Sequence, residues 1–195
     1  HTPGAGTNRL LLVGIGVGGN GNNATAPNVT NVTYGGVALS QVVSNSSPAG
    51  AQTRSYIYSL TNPAAGPANV VVYLSGAGSV AVGATTYTNV NLTSPLGTPV
   101  LNSATVAGTV AMVTNTSAIG ELVFAMASWD EGASNQSITN GAGQTSLWQF
   151  GGFDWATSAG STKPGQGAVT NSFTAGDSQE WTIDAVAIKP APPPV

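Results

Sequence analysis

No stretch of about twelve residues in this chain has a 3.6-residue apolar period that is free of glycine or of dense β-branched residues. Short apolar or β-branched runs bounded by Gly, Asn and Ser occur along almost its whole length, which is typical of buried strands. The sequence therefore predicts an all-β protein with almost no helix. Regular turn signals between about eleven strands favour a two-sheet antiparallel β-sandwich that is jelly-roll-like.

The predicted strands cover residues 9–16, 29–34, 37–43, 55–60, 69–74, 80–88, 109–114, 121–128, 145–150, 168–173 and 181–188. Gly35 and Gly36 separate the second and third of these strands, and a Gly-Gly pair admits the positive φ angles of a tight hairpin. The Gly-rich stretch 14–21 resembles a phosphate loop only superficially, because no helix follows it. We interpret its glycines as sites of close backbone packing or of a bulge.

Composition excludes several classes of protein. The mean hydropathy is +0.13 and the net charge is only −3, which is unlike a disordered chain. Four Lys and Arg residues in 195 positions cannot form the basic stripe that nucleic-acid binding needs. The longest apolar run is far shorter than the ~20 residues of a membrane-spanning helix. The chain has no cysteine, so disulfides and thiolate metal sites are excluded as well.

The low charge also bears on location and domain organisation. Thr, Ser, Asn and Gly replace charged residues, which are only 6% of the chain, so the surface is polar but lacks charge repulsion. The chain begins at His1 rather than Met, which a cleaved signal peptide would explain. We expect a secreted or cell-surface protein with one domain over residues 1–189. The Pro-rich tail 190–195 is predicted to be a polyproline II linker or docking strap.

Six short motifs follow one another along nearly the whole chain: Asn8-Arg9-Leu10-Leu11, Val32-Thr33-Tyr34-Gly35-Gly36, Asn62-Pro63-Ala64-Ala65-Gly66, Pro95-Leu96-Gly97-Thr98-Pro99, Ser161-Thr162-Lys163-Pro164-Gly165 and Ala185-Val186-Ala187-Ile188-Lys189-Pro190. Together they resemble the Gly- and Thr-rich β-sandwich modules that recur in secreted and cell-surface proteins of bacteria and archaea. The resemblance implies a jelly-roll-like fold with an extracellular role, and it supplies no catalytic residues. Such modules have an additional first strand ahead of the segment that begins here at His1. That strand is expected to be absent or to come from elsewhere.

Catalytic constellations find little support in the sequence. His1 is the single histidine, and no strand positions it for a Ser-His-Asp triad. Paired carboxylates for glycoside hydrolysis would have to come from only seven acidic residues, which we interpret as solvated charges on loops and strand ends. We therefore predict that the chain is not an enzyme and needs no cofactor.

Two weaker hypotheses concern a metal and a crosslink. Asp130, Glu131 and Asn135 lie in one loop and offer the oxygen ligands that Ca²⁺ prefers, although their spacing fits no standard calcium loop. Lys163 or Lys189 could join an asparagine covalently, as in some cell-surface β-sandwiches that lack disulfides. A solvated lysine is the ordinary alternative, and the intact mass distinguishes the two because the crosslink loses ammonia.

Asparagine acceptor triplets for N-glycosylation occur seven times, about twice the number expected by chance. Three of them cluster within residues 23–33, where glycans could provide the solvation that charges do not. The seven acceptors are Asn23, Asn28, Asn31, Asn45, Asn91, Asn115 and Asn135.

The segment 148–155 holds four of the thirteen aromatic residues of the chain. Trp148 and Phe150 alternate on one strand face, so we predict that both are buried. Phe153 and Trp155 follow in a Gly-flanked loop and could stack on sugar rings, with Asp154 and Gln149 bonding to the hydroxyls. The sandwich core is the alternative location for this pair.

These observations favour a self-assembling structural subunit of an extracellular filament or surface layer. A neighbouring copy would then cover sheet edges that we expect to be open beside the first and last strands. The alternative is a carbohydrate-binding or adhesive module of a secreted protein, with polysaccharide as its partner. A hydrolase is the third and least favoured hypothesis.

Overall fold

The computed structural model describes residues 1–21, 23–104, 106–130, 137–151 and 155–193. These residues form no helix and fifteen strands. The strands are β1 (Leu10–Gly18), β2 (Val29–Tyr34), β3 (Val37–Ala38), β4 (Ser40–Ser46), β5 (Thr53–Thr61), β6 (Val70–Leu74), β7 (Ser79–Tyr87), β8 (Val100–Ser103), β9 (Gly108–Ser117), β10 (Leu122–Trp129), β11 (Ile138–Asn140), β12 (Thr145–Gly151), β13 (Thr157–Pro164), β14 (Gly167–Gln179) and β15 (Trp181–Ile188).

The strands form four antiparallel sheets, two from each half of the chain. The outer N-terminal sheet has the order β3-β2-β6, and the inner N-terminal sheet has the order β4-β5-β1-β7. The inner C-terminal sheet is β12-β13-β10-β15-β8, and the outer C-terminal sheet is β11-β14-β9. The predicted all-β class is thus confirmed. The finer prediction of two sheets with about eleven strands does not match the fifteen strands and four sheets observed.

Three hydrophobic cores lie between the four sheets. One joins the two N-terminal sheets and includes Val13 and Ile15 of β1, and one joins the two C-terminal sheets around Trp129 and Phe173. The third, between the two inner sheets, includes Leu12 of β1 with residues of β10 and β15. The inner strands β1 and β15 are therefore buried on both faces, which explains why β1 is apolar throughout and β15 is largely apolar.

The two inner sheets meet at what we call the central interface, and β1 contributes glycines to it. A Cβ atom added to Gly14 would meet Trp148 and Met126, and one added to Gly16 would meet Ser128. The interpretation of these glycines as sites of close packing is confirmed. Trp148 of β12 fits between the sheets because Gly14 presents no side chain there.

The predicted Gly-Gly hairpin is present, with φ values of 55° at Gly35 and 84° at Gly36. Its second strand, however, is split between two sheets. Only Val37–Ala38 pairs with β2, and after Leu39 the chain crosses to the inner N-terminal sheet as β4. The short strands β8 and β11 and the strand β13 were not predicted from the sequence.

Candidate functional site

Strand β6 forms one edge of the outer N-terminal sheet, and in the described part of the chain it pairs with β2 alone. Its sequence is Val-Val-Val-Tyr-Leu, without charge or proline. Two of its side chains are substantially exposed, Val71 at 40% and Tyr73 at 48%. Soluble proteins usually protect such an edge with charges, proline or a covering loop, because an open edge accepts further strands.

The register of the β2–β6 pair shows which backbone groups of β6 face the open edge. The Gly35 N–H donates to Asn69 O at 3.1 Å, so Asn69 faces β2. Residues alternate along an antiparallel ladder, so Val71 and Tyr73 also direct their N–H and C=O groups towards β2. By the same alternation, the main-chain groups of Val70 and Val72 point away from the sheet. Those of Leu74 do so as well, because the next residue, Ser75, directs its N–H towards Asn28 O.

The N-terminal residue already occupies the beginning of this edge. The His1 amino group donates to Ala68 O at 3.0 Å, and the Ala68 N–H donates to His1 O at 3.0 Å. Such a reciprocal pair is the unit of an antiparallel ladder. Ala68 lies two residues before Val70, on the same side of the strand. An extended segment can therefore hydrogen-bond to this edge, which we call the β6 edge (Ala68, Val70, Val72 and Leu74).

The edges expected beside the first and last strands are occupied by the chain itself. β1 lies between β5 and β7, and β15 lies between β10 and β8. Both strands are central, and every residue of each is buried. The Pro-rich tail also contacts its own chain, since the Ala191 N–H donates to Asn89 O at 2.8 Å. Residues 194–195 of the tail lie outside the described residues.

The seven glycan acceptors occupy very different environments. Asn23, Asn28 and Asn31 are exposed. Asn45 is half-buried, and its amide donates to Asn102 O at 2.7 Å. Of the other three, Asn91 is half-buried, Asn115 is buried and Asn135 lies outside the described residues.

Exposure predicts which acceptors carry glycan in a host that glycosylates asparagine. We expect occupancy at Asn23, Asn28 and Asn31, where the side-chain amide is accessible. We expect none at Asn115, which is 1% exposed and donates to Thr98 O and Ala185 O. Glycopeptide mass spectrometry of the folded protein measures both. Glycan at Asn115, or three bare sites in the 23–31 cluster, would contradict the prediction.

The aromatic segment is divided between the core and the surface. Trp148 packs into the central interface 5.8 Å from the Phe124 ring centroid, whereas Phe150 is 50% exposed, so the prediction that it is buried is wrong. Phe150 and the half-buried Trp155 line a cavity of about 400 Å³. Gln149 is not among its lining residues, and its amide lies 3.4 Å from Asn140 Oδ1.

The proposed stacking group is thus described only in part. Phe153 and Asp154 lie outside the described residues. The glycan-stacking site remains a prediction for Phe153, Trp155, Asp154 and Gln149.

The calcium candidate has one described member, Asp130, because Glu131 and Asn135 lie outside the described residues. Asp130 is 6% exposed, and its N–H donates to Glu180 O at 3.0 Å. Burial, and then the neighbouring Glu180 carboxylate, raise the pKa of Asp130 to about 6. Among the described residues no three acidic or histidine side chains come together as a metal site.

The two lysines of the crosslink hypothesis lie in different surroundings. Lys163 Nζ donates to Thr170 O at 3.0 Å on the exposed side of the outer C-terminal sheet. Lys189 is half-buried and lines a cavity of about 390 Å³ together with Tyr87 and Pro190. The intact mass remains the test of a crosslink.

Sequence reasoning missed a buried acid in the central interface. Asp184 lies in the middle of β15 and is fully buried. It shares a face of β15 with Val186, which places it opposite Ser55 of β5. Thr53 and Ser128 bridge the same interface, with their hydroxyl oxygens 2.9 Å apart. One end of the central interface is therefore polar.

Among the described residues, neither carboxyl oxygen of Asp184 has a hydrogen-bond partner of good geometry. Burial raises the pKa of Asp184 to about 7, against a smaller lowering by the nearby Ser55 and Asn45 side chains. The hydroxyl groups of Ser55 and Thr182 are also unpartnered. Burial favours the neutral form of Asp184, because a buried charge loses its hydration. The protonated carboxyl can then donate a hydrogen bond to its polar surroundings.

In comparisons with protein families, known proteins and solved structures, no family model, protein sequence or structure matches this chain. In the part of the chain that the structure describes, no helix has the length and hydrophobicity to span a bilayer.

Proposed function

We propose that this chain is a non-enzymatic, extracellular structural subunit that assembles with further copies of itself by adding an extended segment to the β6 edge. The observation that carries the proposal is the reciprocal main-chain pair between His1 and Ala68. It supports an edge that accepts an extended segment. Beyond Ala68, which His1 occupies, Val70, Val72 and Leu74 continue the row with main-chain groups that have no partner among the described residues.

The composition of the chain supports the second copy as the occupant. A surface with 6% charged residues provides little repulsion between copies. The exposed side chains beside the edge, Val71 and Tyr73, are uncharged and can pack against the same residues of a neighbour.

The other sheet edges are less suited to strand addition. β3, β8 and β11 have only two to four residues each. β4 and β12 are themselves bulged, whereas the bulge of the β2–β6 pair lies in β2 and leaves β6 regular. β9 is partly capped, since the Asn102 amide donates to Met112 O at 2.9 Å. β7 is long, but His1 and Thr7 of the N-terminal segment contact residues 86 and 89 at its end.

Replacing Val72 with proline tests this edge. Proline removes the N–H of Val72 that faces outward, so the β2–β6 ladder keeps its bonds while the added strand loses one. We expect Val72→Pro to raise the concentration needed for assembly at least about tenfold. Sedimentation and negative-stain imaging of the full chain measure this.

Val72→Ala is the matched control, because it removes the same packing of Val72 on the N-terminal core but keeps the N–H. It should assemble almost like the parent chain. Equal assembly of the two variants, or a parent chain that stays monomeric at high concentration, would refute the proposal.

A further inference from the structure

A cleft of about 460 Å³ lies at the edge of the inner N-terminal sheet that β4 forms. Arg54 of β5 is the one charged residue among those that line it. The remaining wall combines polar side chains with two apolar surfaces. The polar side chains include Asn28, Ser44 and Ser46, and the apolar surfaces are those of Tyr56 and Leu101.

Arg54 is held in place but has no acidic partner among the described residues. Its Nε donates to Ala26 O at 2.9 Å, which leaves the two terminal nitrogens of the guanidinium without a described partner. Arg9 differs, because its Nε donates to Pro63 O and a terminal nitrogen donates to Gly6 O. A half-buried guanidinium with free donors favours an oxyanion, above all a carboxylate that it can bind through two bonds.

The rest of the wall suits hydroxyl groups and a sugar ring. Asn28, Ser44 and Ser46 can donate and accept hydrogen bonds, as recognition of a polyol requires. The Tyr56 ring is 4% exposed and its hydroxyl accepts from the Val29 N–H, so it forms a fixed apolar wall. Leu101 is 53% exposed and adds a second apolar surface. The cavity volume lies within the range of small-molecule sites.

From this combination we propose that the cleft binds an acidic saccharide of the uronic-acid class, with its carboxylate on Arg54. None of the lining residues belongs to the β6 edge or to the N-terminal segment. Although Asn28 bonds to Ser75 just beyond this edge, the two proposals concern different groups, and either can fail without the other. It is also distinct from the aromatic cavity that Phe150 and Trp155 line.

Titration calorimetry of the full chain with a short galacturonic acid oligomer tests the site, in material made without asparagine glycosylation so that Asn28 is bare. The methyl ester of the same oligomer is the matched ligand, since it removes the charge and adds only one methyl group to each carboxyl. We expect the ester to bind at least about tenfold more weakly. Arg54→Gln should lose acid binding to the same extent, whereas Lys163→Gln, in β13 and outside the lining of the cleft, should not.

Leu101→Asp provides a second variant that does not depend on Arg54. It places a negative charge at an exposed position of the cleft and should weaken acid binding, whereas the neutral Leu101→Asn should have a smaller effect. The proposal is overturned if the acid does not bind, if the ester binds equally well, or if the folded Arg54→Gln variant retains binding. Tighter binding of an acidic peptide than of the uronate would overturn the saccharide class.

Discussion

Replacing Asp184 with asparagine is expected to stabilise the protein above neutral pH and to remove most of the pH dependence of its stability between pH 4 and 7. Asp184 is fully buried, and its folded-state pKa is about 7, compared with 3.8 for the unperturbed group. Between these values the unfolded chain releases the proton while the folded chain retains it. The free energy of unfolding therefore falls as the pH rises through this window.

The loss amounts to about 1.4 kcal/mol for each pH unit in the window, or about 4 kcal/mol in total above pH 7. Asparagine cannot ionise, so the variant should be about 2 kcal/mol more stable than the parent at pH 8, after the cost of its buried amide donors. Denaturant unfolding from pH 4 to pH 8 measures both chains. Below pH 4, where both side chains are neutral, only the amide cost remains, and Asp184→Asn should be about 2 kcal/mol less stable than the parent.

Asp130→Asn is the control for this window. The pKa of Asp130 is raised to about 6, so this group also lowers the free energy of unfolding as the pH rises. Its effect is complete at a lower pH than that of Asp184. The loss between pH 6 and 7 should then remain in Asp130→Asn and disappear in Asp184→Asn. A parent chain whose stability rises from pH 4 to 7, or an Asp184→Asn variant with an unchanged slope, would contradict the account.

Trp148→Ala is expected to destabilise the protein by about 3 kcal/mol, because the indole fills the space between the two inner sheets. The ring contacts Phe124, and its Nε1 donates to Ser158 Oγ at 3.2 Å. Gly83 and Gly160 lie so close to the ring that a Cβ atom at either position would overlap it. Gly160→Ala should therefore cost about 1–3 kcal/mol through overpacking.

The two changes should compensate for each other, since removal of the indole makes room for the new methyl group. In a double-mutant cycle we expect Gly160→Ala to cost little in the Trp148→Ala background, a coupling of about 1–3 kcal/mol. Gly76→Ala is the matched control, because its Cβ would have only ordinary contact with Pro27. Chemical denaturation of the four chains gives the cycle, and additive costs would argue against a glycine-lined space for Trp148.

The predictable part of this fold is the part whose side chains are apolar and alternate. Ten of the eleven predicted strands occur as single strands and the eleventh, 37–43, is split into β3 and β4, because β-branched runs bounded by turn residues specify a strand locally. β13 was missed because its sequence, Thr-Ser-Ala-Gly-Ser-Thr-Lys-Pro, consists largely of small and polar residues. Those small residues are required by its position, since Gly160 faces the indole of Trp148. That constraint comes from tertiary packing and leaves no periodic signal in the sequence.

The number of sheets and the candidate sites depend on which strands become neighbours. The apolar sequence Leu10–Gly18 and the largely apolar sequence Trp181–Ile188 indicated strands buried on both faces, and this was the available signal for more than two sheets. Asp184 could not be distinguished from a surface acid, because its burial follows from the packing of the two inner sheets. The openness of the β6 edge likewise depends on where the chain places its other strands.

Amide hydrogen exchange along β6 tests the assembly most directly. Exchange is carried out in dilute and in assembled protein and read by NMR after dissociation. The account predicts that the amides of Val70, Val72 and Leu74 exchange at least about tenfold more slowly in the assembled state, because they gain partners there. The amides of Val71 and Tyr73 face β2 and should be protected in both states. Fast exchange at 70, 72 and 74 in assemblies that protect another strand instead would contradict it.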